Sequence, residues 1–280
     1  MENYILQQID GVTFRMREAF DFEFLRKFGR VFQAFDDQDS GNICFGMERN
    51  GERLFVKFAG APTARYEGAA SEAVQRLKQT VPIYEAIRHD TLIEYLGSEE
   101  IGGGFALIFR WTDAHCMGRM YPEERAKFLR LSLEKRLTVF RDILRFLEAV
   151  HEAGYVAVDF YDGSVMYNFE AEKTVVCDID FFRKKPCTND MGRMWGSSLF
   201  MAPEEHVLGA KIDEVTNVYT AGAMAFALLA DFDRSGEKWT LSDGLYRVAA
   251  KAVSEERSQR WNSLREFREV WERELMTGGK

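Results

Sequence analysis

Asp159 closes a short apolar run inside His151–Met166, HEAGYVAVDFYDGSVM. The stretch reads as a helix end, a glycine break, an apolar strand and a carboxylate delivered onto a polar turn. A carboxylate so placed can orient a hydroxyl and accept its proton late in a phosphoryl transfer. Downstream, Cys177–Phe182 (CDIDFF) supplies Asp178 and Asp180, 19 and 21 residues after Asp159. At i and i+2 of an extended segment both carboxylates project to one side, where they can share a hard cation. Upstream, Lys57 in LFVKF is one cation on a hydrophobic strand, a point charge suited to phosphate. Gly196–Glu205, GSSLFMAPEE, completes the series. Each signal alone has a plainer reading as a solvated charge, but their order and distances together are far more specific.

These residues need elements to hold them. Val31–Phe35 and Asn42–Glu48 are short and apolar-rich, with turn residues on their flanks, and read as strands. Asn50-Gly51 predicts a two-residue hairpin joining GNICFGMER to ERLFVKFAG. A helical stretch is expected over about residues 68–79, interrupted near Pro82, and LIEYLGSEEIGGGFALIFRW reads as a further hairpin turning at Gly102–Gly104. Beyond Trp111 the chain turns helical. Arg130–Glu152 carries Leu133, Leu137, Phe140, Ile143, Leu144, Leu147 and Val150 at helical spacing and stops at Gly154. Asn217–Ala230 and Asn262–Leu275 read as two more helices, and residues 1–24 as a helical or mixed extension. A β-rich first part followed by a helical second part predicts an α+β, two-lobed molecule.

Composition narrows the partners. A net charge of −8 over 280 residues argues against the basic face that nucleic acid requires. No apolar run reaches membrane-spanning length, and the start MENYILQQIDGV lacks the basic-then-apolar pattern of a secretory signal. Cys44, Cys116, Cys177 and Cys187 have no paired spacing, which suits reduced thiols in a cytoplasmic protein. The four histidines form no zinc-binding pattern.

From Leu25 to Glu272 these motifs resemble the protein kinase fold, and the pattern is similar to a divergent bacterial-type serine/threonine protein kinase. The resemblance implies an ATP- and magnesium- (or manganese-) dependent enzyme with a protein substrate. Residues 25–112 would form the N-lobe and residues 113–280 the C-lobe, with ATP bound between them. Lys57 takes the place of the phosphate-binding strand lysine. The loop that covers the phosphates maps to Asp36–Ile43, DDQDSGNI, with Gly41 as its last glycine, 16 residues before Lys57. Gly29, 28 residues before Lys57, is too distant. Asp36, Asp37 and Asp39 then stand near the triphosphate, an unfavourable field unless they turn to solvent or meet the cation. Glu72 is the candidate partner of the lysine, with Glu67 and Glu85 as rivals. Phe109 would back the adenine pocket, and Arg110, Trp111 and Thr112 would offer backbone hydrogen bonds.

In the same resemblance, Asp159 is the catalytic base, while Ala157 and Val158 stand where the family has His and Arg. Tyr161 replaces the loop lysine and Ser164 the metal-binding asparagine. The metal-binding aspartate is Asp178 or Asp180, with Asp178 slightly favoured. Ser197 stands where a threonine meets the catalytic aspartate. Glu204, of Ala202-Pro203-Glu204, would pair with Arg260, and Asn217 takes a position usually held by aspartate. Without an arginine before Asp159, phosphorylation at Thr188 or Ser197 would activate little. Retention of Lys57, Asp159 and the acidic pair ranks an active protein kinase first. A pseudokinase scaffold comes second, and a small-molecule phosphotransferase third.

Overall fold

Asp10 and Gly11 both take left-handed backbone angles (φ 51° and 89°) and close a hairpin of β1 (Ile5–Ile9) and β2 (Val12–Met16). Tight two-residue hairpins require this conformation twice, and Asp-Gly supplies it. The start of the chain is therefore a β-hairpin where a helical or mixed segment was expected. In this computed structural model residues 4–277 are described, and the chain divides into two compact units. The first takes in the chain up to Glu85 together with Ile93–Asp113; the second takes in Ala86–Leu92 and the chain from Ala114.

The first unit is built on a five-stranded antiparallel sheet. Its strands are β3 (Arg30–Phe35), β4 (Asn42–Arg49), β5 (Glu52–Ala59), β6 (Tyr95–Ile101) and β7 (Gly104–Arg110), in the order β3-β4-β5-β7-β6. Asn50-Gly51 joins β4 to β5 with Arg49 opposite Glu52, as its residue types predict. Alternation along the strands sends Ile43, Phe45, Met47, Val56 and Phe58 to one face, where they form a core with Phe14, Met16 and Phe22 of the N-terminal segment. Helix α1 (Ala70–Ala86) buries Ala73, Leu77, Thr80, Ile83 and Tyr84. It runs through Pro82 without breaking. Tyr84 beyond the proline packs on Phe109 and Tyr95 (ring centroids 4.9 and 5.6 Å), and that burial offsets the one backbone hydrogen bond a proline removes.

The second unit is mainly helical. A two-residue strand, β8 (His115–Cys116), precedes α2 (Pro122–Leu129) and α3 (Leu133–Glu152). The single helix expected from Arg130 starts instead at Leu133, because the Ser132 hydroxyl accepts the Lys135 amide and caps it there (3.4 Å). Strands β9 (Tyr155–Val156), β10 (Val165–Asn168), β11 (Lys173–Val176), β12 (Arg183–Lys184), β13 (Cys187–Thr188) and β14 (Lys211–Ile212) frame the loops that follow. Helix α4 (Glu214–Ala230) is buried nearly all round. Helix α5 (Asp243–Ala252) was not foreseen, although Ser242 caps it and Leu245, Val248, Ala249 and Ala252 repeat at helical spacing. Helix α6 (Leu264–Thr277) docks Trp271 on Phe140 of α3 (4.8 Å). Among the described residues no helix is long and apolar enough to cross a membrane.

Candidate active site

In the first unit, Lys57 sits on β5 opposite Cys44 and Leu107 and is 7% exposed. Strand alternation turns it away from the phenylalanine-rich core, onto the face that also carries Phe55 and Phe109. Ile43 goes the other way: its side chain lies in the core opposite Phe58, so only its backbone can serve a ligand beside Lys57. Phe109 is buried against Tyr84. The Arg110 amide already donates to the Glu94 carbonyl (2.9 Å) and the Trp111 amide to the Arg53 carbonyl (3.2 Å). At these two positions the backbone hydrogen bonds left for a ligand would be those of the carbonyl oxygens. Glu72 is exposed and accepts the Tyr66 hydroxyl (3.2 Å); Glu67 and Glu85 are exposed as well.

The loop before β4 is tied down at several points. Asp36 and Asp37 accept the Arg15 guanidinium, Arg65 reaches Asp37, and Arg76 of α1 donates to the Ser40 carbonyl (2.9 Å). Gly41 (φ 80°) has no room for a side chain: a Cβ there would lie 2.7 Å from the Tyr66 ring and 2.8 Å from Ala73. Its glycine is thus required by packing as well as by backbone angle.

In the second unit the segment leading to Asp159 is fixed from two sides. Tyr155 and Val156 pair with β12, and Asn217 of α4 grips Ala157 through both its backbone groups (Oδ1 from the amide, 2.8 Å; Nδ2 to the carbonyl, 2.7 Å). Asp159 then adopts φ 57°, in the left-handed region that L-residues occupy at a cost. It lines a small cavity with Ala157, Ser197, Glu205 and Thr220. The structure therefore brings Asp159 and Ser197 together, as their motif positions suggested. Three residues on, buried Asp162 meets buried Arg125 (3.1 Å), which also holds Asp231 (3.0 Å). This pairing has no local signal, because its members lie far apart in the chain.

Ser164 is fully buried; its carbonyl accepts the Cys177 amide (2.9 Å), which links the loop to Asp178. Among the described residues its Oγ has no hydrogen-bond partner. Asp178 is exposed and left-handed (φ 54°), Ile179 is buried, and Asp180 is half-buried in a turn. The segment is therefore not extended, and the pleat does not present the two carboxylates as a pair. Burial, then the fields of Asp178 and Asp159, push the Tyr161 phenol far above its usual range, so both carboxylates act on one neighbourhood. Among the described residues no three His, Cys, Asp or Glu side chains cluster to hold a metal. The donor set here is all oxygen, the Ser164 hydroxyl and the Asp178 and Asp180 carboxylates, and its chemistry suits a hard divalent ion that takes its other ligands from phosphate and water.

Glu204 and Arg260 form a bidentate pair (2.7 and 2.9 Å), with Arg257 (2.8 Å) and the Thr216 hydroxyl (2.9 Å) on the same carboxylate. Arg260 stacks on Tyr219 (5.0 Å). Next to it, Glu205 went unnoticed in the sequence. It is 3% exposed, and its carboxylate accepts the Ala202 amide (2.7 Å). Nothing local marks it, since its burial comes from packing.

No protein-family model matches the chain. It is similar to the mitosis inhibitor protein kinase wee1 of Schizosaccharomyces pombe, 25% identical over 217 residues that cover 76% of this chain and 22% of wee1. It is similar also to the serine/threonine-protein kinase PksC of Streptomyces coelicolor, 22% identical over 165 residues that cover 55% of this chain and 29% of PksC. The chain thus spans less than a third of either relative's length. These distant similarities support a protein kinase-like relationship, and the α+β make-up, one β-sheet-rich part and one helical, is compatible with a kinase-like fold.

Proposed function

We propose that this chain is a serine/threonine protein kinase that transfers the terminal phosphoryl group of ATP to hydroxyls of protein substrates in the cytoplasm. In this reading residues 25–112 are the N-lobe and residues 113–280 the C-lobe. The observation that carries it is Asp159. It is a carboxylate held at φ 57° beside Ser197, on a segment whose backbone Asn217 anchors from both sides. A carboxylate turned out of the regular backbone, on a segment whose approach is fixed in this way, is arranged to be presented to a reactant. Asp159 would orient the acceptor hydroxyl and take its proton as the bond to phosphorus forms. Lys57 would hold the nucleotide phosphates, with the loop at Gly41 over them and Phe109 behind the base. Asp178 is favoured over Asp180 as carboxylate ligand of magnesium or manganese because it carries the strained backbone, and Ser164 Oγ would add a neutral oxygen. The ion, when bound, neutralises charge on the phosphates. Glu204 and Arg260 would brace the segment that receives the substrate.

A pseudokinase is the second reading, favoured by the committed amides of Arg110 and Trp111 and by Ala157, Val158, Tyr161 and Ser164 at the positions where the family has His, Arg, Lys and Asn. The test is phosphorylation of a protein substrate with radiolabelled ATP and magnesium. Wild type should be active and Asp159→Asn at least ~100-fold slower, the scale of general base catalysis. Equal signal in both, or none in either, rejects the enzyme. In the latter case a thermal shift with ATP and magnesium separates a nucleotide-binding scaffold from one blind to nucleotide.

A further inference from the structure

The segment Asp36–Gly41 carries three carboxylates within four residues, Asp36, Asp37 and Asp39. Two of them are met by arginines from outside it. Asp36 accepts the backbone amide of Arg15 (2.5 Å), its Nε (3.1 Å) and its Nη2 (2.9 Å). The same Nη2 reaches Asp37 (3.0 Å), whose Oδ1 is also met by Arg65 (2.9 Å). Arg15 and Asp36 are partly buried, with side chains 28% and 18% exposed. Arg15 belongs to β2, and β2 is itself fastened to the chain beyond β5: Met16 bridges Thr63, and the Arg17 amide donates to the Pro62 carbonyl (2.9 Å). The guanidinium is thus presented by a braced strand. Burial pushes the Asp36 carboxyl upward, but the Arg15 hydrogen bonds outweigh it and hold the group below the usual carboxylate range.

We propose that Arg15 is a positioning residue for nucleotide: it cancels the negative field of Asp36 and Asp37 and fixes the loop so that a polyphosphate can lie beside it. The inference rests on the kinase reading, which places the phosphates at this loop. It gives the N-terminal hairpin a task, since a loop rich in aspartate becomes compatible with ATP only when a cation is supplied from elsewhere in the unit. A planar fork that bonds two neighbouring carboxylates does this where lysine, a single point charge, would not.

The experiment compares affinities of the full-length chain for ATP with magnesium and for adenosine. Arg15→Ala should weaken ATP roughly tenfold, an exposed like charge near the phosphates, and leave adenosine nearly unchanged. Adding Asp36→Asn and Asp37→Asn to Arg15→Ala should restore ATP binding. Equal loss for ATP and adenosine, or no rescue, assigns Arg15 a purely structural part and overturns the proposal, as does unchanged ATP affinity in Arg15→Ala. Wild type that binds neither ligand overturns the kinase reading itself and this use of Arg15 with it. Amide exchange at Asp36–Ser40, faster in Arg15→Ala than in wild type, reports separately whether the clamp exists.

Discussion

Glu204 and Glu205 are neighbours driven in opposite directions. Burial pushes both carboxyls upward. At Glu204 the hydrogen bonds and charge of Arg260 more than reverse this, and its pKa falls below the ordinary value. Glu205 has burial, one amide bond from Ala202, and the like charges of Glu204 and Asp159 around it, with Arg260 acting against them. It is pushed up to about 8. The consequence for stability has a definite sign. Between the unfolded value of 4.5 and about 8, the unfolded chain has released a proton that the folded chain keeps at Glu205. Rising pH therefore favours unfolding across that window and no further. Glu204 works the other way, its contribution present above its unfolded value and lost as acid protonates it. Glu205→Gln keeps the acceptor for Ala202 and removes the titration. In urea unfolding, the variant should lose less stability than wild type from about pH 5 to about pH 8, and gain on the order of 3 kcal/mol over it at neutral pH. Parallel pH profiles for the two proteins would mean that Glu205 is already ionised in the folded chain.

Among the elements, those with strong local signals were readable. The Asn50-Gly51 hairpin follows from two residues, and α3, α4 and α6 follow from apolar spacing, within a few residues at their ends. What escaped was set by partners distant in sequence. The path of α1 through Pro82 depends on Phe109 and Tyr95, and the ties on Asp36 and Asp37 depend on an arginine in β2. The Asp10-Gly11 signal of the first hairpin was present but stood outside the stretch that looked kinase-like. Within the site, Asp159, Ser197, Glu204 and Arg260 were legible from motif order; the structure pairs Glu204 with Arg260 and puts Asp159 and Ser197 on one small cavity. The i, i+2 argument for Asp178 and Asp180 failed because it assumed an extended backbone where Asp178 turns left-handed. Helix α4 illustrates how one element serves another. Asn217 satisfies both backbone groups of Ala157 deep in the unit. Asn217→Ala would leave a buried amide and carbonyl unpaired, costing about 2–3 kcal/mol in urea unfolding. It should also lower kcat more than it raises KM for the protein substrate, since the approach to Asp159 loosens. A variant as stable and as active as wild type would show that β9 alone holds the segment.

At the scale of the whole molecule, each of the two units has its own interior. The first is aromatic: Phe14, Phe22, Phe45 and Phe58 meet in edge-on pairs at centroid distances from 5.3 to 6.2 Å. The second is organised on α4, with α3, α5 and α6 packed against it. The N-terminal hairpin gives Phe14 and Met16 to the first interior, so it is part of that unit's fold. Phe45 touches this core from the middle of β4, against both Phe14 and Phe22. Phe45→Ala removes a ring that is fully buried, at a cost of about 3–5 kcal/mol. Because Phe45 contributes to one interior, the loss should be local. Native-state hydrogen exchange should show the amides of β4, β5 and β7 losing protection by most of that amount, while those of α3 and α4 keep theirs. Uniform loss across both sets would instead mean that the two interiors open as a single cooperative unit. The hairpin would then matter to the residues around Asp159 through stability.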